Sequence, residues 1–155
     1  MRRTDRELTS EQAWAIVDGC DDCVLSMTDT DGAPYAVPLN HVRDGAHLYF
    51  HSAMTGRKLD CLRQNSRVCV VCTAAGREID QPALTTRYAS AILRGTAAEV
   101  TDTAEKLHAL RLLCQRLAPE NPEGRGDFES CLGRTAVWRI EVDAISGKAN
   151  RPRAE

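Results

Sequence analysis

The longest strand signal in the chain runs from Thr85 to Val100, TTRYASAILRGTAAEV, and the rest of the fold has to accommodate it. Gly95 inside it marks a bulge or a barrel corner, where a strand bends or another backbone comes close. The other strand signals are shorter. Val24 to Thr28 leads into the hairpin turn Asp29-Thr30-Asp31-Gly32, with Gly32 able to take a positive φ. Tyr35 to Val42 is the return strand. Pro34 and Pro38 put it at an edge or a bulge, because neither donates a ladder hydrogen bond. Asp44-Gly45 is a second hairpin signal before His47 to His51, so these three strands read as a meander. Val68 to Val71 is a β-branched run. Thr135 to Asp143 alternates, with Ala136, Trp138, Ile140 and Val142 inward and Val137, Arg139, Glu141 and Asp143 outward. Six strand signals joined largely by short hairpins favour a small closed or half-closed antiparallel barrel over an open sheet.

Helices flank these strands, so the class is α+β. Thr9-Ser10-Glu11-Gln12 is a capping box, and Leu8 is placed to staple against Ala13. That helix runs to about Val17 and stops at Gly19. Asp102-Thr103-Ala104-Glu105 is a second capping box. The helix after it offers Leu107, Leu110, Cys114 and Leu117 as one apolar face and ends at Pro119 and Pro122. Ala75 to Gln81 reads as a polar connection. Gly124 to Gly133 reads as a loop with a short helical turn at Phe128–Leu132, and Ser146 to Glu155 as a polar, basic tail.

The 155 residues fit one domain, 1–155, with 43% hydrophobic and 27% charged residues, the balance of a globular protein with a core. A net charge of −2 gives no field to gather nucleic acid or anionic lipid. No apolar run reaches the length of a membrane span, and the charged start Met1-Arg2-Arg3-Thr4-Asp5-Arg6 has no apolar stretch after it, so a cytoplasmic location is expected.

The stretch from Leu48 to Cys72 carries the chemistry. A strand, Leu48-Tyr49-Phe50-His51, breaks at Ser52-Ala53-Met54-Thr55-Gly56. Arg57 and Lys58 then open a short helix, with Leu59 and Leu62 on one face, that ends at Asn65. Two cations at a helix start oppose the macrodipole, so a purely structural choice would place Asp or Glu there. A small-residue turn, exposed backbone N–H groups and two cations together suit a phosphate.

Seven cysteines with no secretory signal do not read as a disulfide framework. Of two C-x-x-C pairs, Cys69 and Cys72 fall in a strand and point to opposite faces. Cys20 and Cys23 lie at a helix-to-strand junction, where ligation of one metal is geometrically open. The expectation is nevertheless that most cysteines are small core fillers and that no metal is bound. His41 could donate a proton near neutral pH, and His51 lies beside the phosphate turn. His47 and His108 have no partners in the pattern. No Ser-His-Asp set, P-loop or dinucleotide fingerprint is present.

Four segments resemble the FMN-binding split β-barrel family of pyridoxamine 5′-phosphate oxidase, and within it the 5-nitroimidazole-resistance, nitroreductase-like branch. They are Gly32-Ala33-Pro34-Tyr35-Ala36-Val37-Pro38-Leu39-Asn40-His41, then Tyr49 to Ala53 with Gly56-Arg57-Lys58, then Tyr88 to Ile92 with Gly95, and Ile145-Ser146-Gly147-Lys148. The resemblance implies a six-stranded antiparallel split β-barrel with flanking helices, and a homodimer with two FMN sites at its interface. It implies that Arg57 and Lys58 hold the FMN phosphate, with Ser52, Ala53 and His51 nearby. Val37, Pro38, Leu39 and Asn40 would flank the flavin ring, and Ser90 would approach it, from the partner chain if not from the same one. It further implies a flavin-dependent oxidoreductase acting on a small molecule, with haem or a deazaflavin as the family's other cofactors and a non-catalytic cofactor-binding role as the other function. The Arg- and His-rich C-terminal motif of the oxidase proper is replaced here by Gly147-Lys148-Ala149-Asn150-Arg151, which argues against vitamin B6 oxidation.

Overall fold

A two-residue gap decides the shape of the sheet. A computed structural model describes residues 2–121 and 128–150. In chain order the strands are β1 (Glu7–Leu8), β2 (Cys23–Thr28), β3 (Pro34–Leu39), β4 (Val42–Asp44), β5 (His47–Ser52), β6 (Arg67–Thr73), β7 (Glu78–Asp80), β8 (Thr85–Glu99) and β9 (Ala136–Asn150). The helices are α1 (Ser10–Gly19), α2 (Arg57–Gln64) and α3 (Thr103–Leu117). The sheet runs β3-β2-β6-β8-β9-β5-β4, with β1 added to β9 and β7 to β8, and every pairing is antiparallel. Its two edges, β3 and β4, are separated in sequence only by Asn40 and His41. The three virtual bonds from Leu39 to Val42 span roughly 11 Å at most. The edges must therefore come close, and the sheet curls into a half-barrel.

Among the described residues the expected six strands are nine. Tyr35–Val42 is not one strand, and β3 does not pair with β5, so the predicted meander is broken at Asn40-His41. Both residues are tied to the end of α1 instead: Asn40 Nδ2 donates to the Asp21 carbonyl at 3.0 Å, and His41 Nε2 lies 3.0 Å from the Val17 carbonyl. β1 and β7 are too short to show a pattern in sequence. β9 continues beyond Asp143 to Asn150 along β8, so Ser146 to Asn150 are strand rather than tail. The Gly124 loop falls partly, and Arg151–Glu155 wholly, outside the described residues. The turn foreseen at Phe128–Leu132 is a short 3-10 helix, Glu129–Cys131.

Gly95 does lie at a bulge, where the β8–β9 register shifts between Arg94 and Gly95. A Cβ there would stand 2.2 Å from the Glu141 carbonyl oxygen. A Cβ on Gly147 would stand 2.9 Å from the Ala13 Cβ and 3.0 Å from the Leu8 Cβ, so the absence of a side chain lets α1 and β1 lie on β9. α1 opens on the expected box, with Gln12 N–H donating to Thr9 Oγ1 at 3.2 Å and Thr9 N–H donating to Gln12 Oε1 at 3.1 Å.

The barrel interior holds Leu25, Phe50, Leu59, Leu62, Val70, Leu93 and Trp138, all buried. Phe50 and Trp138 stack nearly parallel, with centroids 6.5 Å apart. A second cluster lies outside the barrel wall beneath α3 and contains Tyr49, Val137, Ala109, Leu110 and Leu113. Val137, expected to face solvent, is therefore fully buried. The buried face of α3 is Ala109, Leu110 and Leu113, rotated from the predicted one, and Leu117 is 42% exposed. Glu105 does not complete a capping box. Asp102 caps its N–H at 2.8 Å, while its carboxylate accepts from the Tyr49 hydroxyl at 3.0 Å and from Arg139 Nη1 at 2.7 Å. No helix among the described residues is long and apolar enough to cross a membrane.

Candidate functional site

The break after β5 and the start of α2 form a cationic corner. Gly56, at φ 137°, occupies the N-cap position of α2, and no side chain caps the helix. The Leu59 and Asp60 amides return to the Gly56 carbonyl. The Arg57 and Lys58 amides belong to the first turn, whose N–H groups have no partner within the helix. Helix start and two cations thus present donors and positive charge together, a donor set that fits a phosphate.

Both cations are positioned by aromatic rings from the barrel. Arg57 Cζ lies 4.5 Å from the Tyr35 ring centroid, and Lys58 Nζ lies 5.3 Å from that of Phe50. β3 and β5 therefore converge on α2. Arg57 is also paired through Nε and Nη2 with Asp29, in the β2–β3 turn, leaving Nη1 outside that pair. Asp29 is only 4% exposed and also accepts from the Thr30 amide and the Cys61 thiol. The Arg57 guanidinium holds the Asp29 carboxyl well below the usual carboxylate range, helped by the Thr30 amide. Burial lowers Lys58 from its ordinary value. Partial burial, and then the charge of Lys58, lower His51 from its ordinary value.

The predicted residues divide into three groups. Arg57 and Lys58 open α2 at this corner; His51 and Ser52 close β5 with Ala53 after them, Ser52 Oγ donating to the Ala53 carbonyl at 3.0 Å, while the His51 side chain lines the α3 side. Val37, Pro38 and Leu39 continue the strand that carries Tyr35, and Asn40 ends it. β3 is the sheet edge that the prolines predicted, and beyond β2 it has no ladder partner among the described residues. Ser90 lies elsewhere: Ser52 pairs with Ala136 at one end of β9, and Ser90 with Lys148 near the other. His41 is 1% exposed and turned against α1, so in this chain it has no route for passing a proton to a bound molecule. Sequence reasoning missed Asp29, Tyr35 and Phe50 as supports of the corner, because they meet Arg57 and Lys58 only through the fold. Beside His51 an apolar recess of about 240 Å³ opens against Leu110, Leu113, Leu117 and Phe128 of the α3 side.

A family model described as pyridoxamine 5′-phosphate oxidase matches residues 9–149. The chain belongs to this family. Within it, the chain is similar to the solved structure of a candidate 5-nitroimidazole antibiotic resistance protein from Bacteroides thetaiotaomicron, with 27% identity, a TM-score of 0.79, and 92% of this chain and 85% of that one covered. Two further structures share the fold. A flavocytochrome from Azotobacter vinelandii has a TM-score of 0.82 at 22% identity, covering 97% of this chain and 72% of its own. A protein from Mycobacterium smegmatis described as binding FAD and haem has a TM-score of 0.81 at 23% identity, covering 97% and 76%. Among curated proteins, none matches the chain.

Proposed function

We propose that the chain is a flavin-dependent oxidoreductase that holds FMN by its phosphate at the start of α2. The observation that carries this reading is the convergence of the uncapped helix start with Arg57 and Lys58, each cation set over an aromatic ring of the barrel. Arg57 would offer Nη1 to a phosphate oxygen while Asp29 fixes the rest of the guanidinium, and Lys58 would add a point charge. Ser52 and Ala53 would line the same turn, with His51 as a neighbour. Val37, Pro38, Leu39 and Asn40 would flank the ring along the unpartnered edge of β3, where backbone N–H and C=O groups are left without ladder bonds. The bound flavin would supply electron transfer from a nicotinamide donor to a small acceptor such as a nitroaromatic or a quinone, while the protein binds and orients it.

Ser90 lies too far along β9 to share this corner within one chain. Its role would require a homodimer with the cofactor clefts at the interface. A second reading, a non-catalytic flavin- or haem-binding protein, draws support from the burial of His41, which leaves no ionisable proton donor among the residues assigned to the ring.

The absorbance spectrum of the purified protein, followed by steady-state turnover, tests the proposal. Flavin bands, release of FMN on denaturation, and oxidation of a nicotinamide donor coupled to a nitroaromatic or quinone are expected. A haem Soret band, a deazaflavin, or FMN bound without turnover of any such pair would contradict it.

A further inference from the structure

Away from the cationic corner, three side chains from three elements meet in the core. Cys20 follows α1, His41 lies in the crossing between β3 and β4, and Cys72 is in β6. Their two sulfurs and a ring nitrogen all lie within 4.8 Å of one another, and the residues are 5%, 1% and 0% exposed. Packing alone explains the thiols but not the imidazole. A buried polar atom without a partner is costly, yet His41 Nδ1 is buried and has no hydrogen bond. Nε2 is already committed to the Val17 carbonyl. A backbone carbonyl on one ring nitrogen, with the other nitrogen left for the metal, is how a metal-bound histidine is usually supported.

We propose that Cys20, His41 and Cys72 bind a zinc ion, with Cys23 as the fourth ligand. Cys23 stands opposite Cys72 in the β2–β6 ladder and is 3% exposed. With Zn–S of about 2.3 Å and Zn–N of about 2.0 Å, tetrahedral ligand atoms are roughly 3.5–3.8 Å apart. The three atoms already within 4.8 Å need to close by about 1.3 Å at most, and Cys23, outside that group, has to swing in from the neighbouring strand. Thiolates and an imidazole select zinc over magnesium or calcium, which require oxygen ligands. Two thiolates neutralise the ion. A third leaves one negative charge, and Arg116 faces it by donating to the carbonyls of Asp18 and Cys20 at the end of α1.

Cysteine ligates zinc as a thiolate, without the proton a free thiol carries. Zinc must displace those protons, so affinity should rise with pH. The ion would fasten α1, the edge-to-edge crossing and β6 together. His41 would then be a structural ligand, and the sequence expectation of metal-free cysteines would fail at these positions.

Metal content decides this. Protein purified under reducing conditions without chelator should carry about one zinc per chain, measured by mass spectrometry of the elements. Protein stripped of metal should melt at a lower temperature, be restored by zinc and not by magnesium, and take up cobalt with the spectrum of a tetrahedral thiolate site. Cys20→Ser, Cys72→Ser and His41→Asn should each weaken zinc binding on the order of a hundredfold, by sharing the affinity of a structural site among four ligands. Cys114→Ser should bind as the native chain does. If a variant fails to fold, stripping and reloading the native protein still decides. Native protein that neither contains nor takes up stoichiometric zinc would overturn the proposal, as would unchanged affinity in all three ligand variants.

Discussion

Asp29 sits at a turn that sequence marks only as a chain reversal, yet it anchors the cation assigned to the phosphate. Its folded-state carboxyl is held below its ordinary value of 3.8, first by Arg57. A lowered carboxylate contributes stability that is present above the unfolded value and lost as pH falls through the folded one. Asp29→Asn should therefore lower the melting temperature at neutral pH, and the gap from the native protein should narrow as pH drops below 3.8. Melting curves across that range check this. A gap that stays constant with pH would mean that the carboxylate charge does not matter. Arg57 and Lys58 stood out in sequence as candidates because two cations at a helix start contradict the macrodipole. Asp29 and Tyr35 were not, since nothing local links a hairpin turn or an edge-strand tyrosine to a helix that begins after Gly56.

Strand and helix identities were legible wherever a pattern ran long enough to show. The long strand β8, the capping box of α1 and the glycine bulge all carry local signals. Three things were set by neighbours instead. β9 reaches Asn150 because β8 offers a ladder to that point, the chain breaks at Asn40-His41 because α1 holds His41 and the turn after it holds Asn40, and Val137 is buried because α3 covers it. Gly95→Ala tests the closest of these contacts. Its Cβ would meet a carbonyl oxygen of the backbone, not the movable end of a side chain. Overpacking of this kind costs about 1–3 kcal/mol, which for a chain of this size lowers the melting temperature by roughly 2–4 °C per kcal/mol. Thermal unfolding of the variant measures it. A native-like midpoint would show that β9 yields more easily than a backbone-backed wall should.

At the scale of the whole molecule, the half-barrel leaves its β3 edge unpaired among the described residues, and Val24 on β2 and Ile92 on β8 are 38% and 43% exposed. Ile79 in β7 and Leu84 in the turn that follows it are 68% and 92% exposed. Open edges and exposed apolar groups favour association, and a two-fold dimer is the usual closed solution. Light scattering of the cofactor-loaded protein should therefore give a dimer mass. A monomer at working concentration would remove the partner chain from the proposed site, and with it any role for Ser90 there.

Phosphate recognition at the start of α2 is tested most directly by comparing FMN with riboflavin, which lacks the phosphate. Charge-assisted hydrogen bonds contribute on the order of 1.5–3 kcal/mol, so Arg57→Ala or Lys58→Ala should weaken FMN binding roughly ten- to a hundredfold. Affinities from flavin fluorescence titration of the native protein and both variants supply the comparison. The predicted result is a large loss for FMN in each variant, with riboflavin bound weakly and almost equally by all three proteins. Equal losses for FMN and riboflavin would make Arg57 and Lys58 structural residues and contradict the assignment.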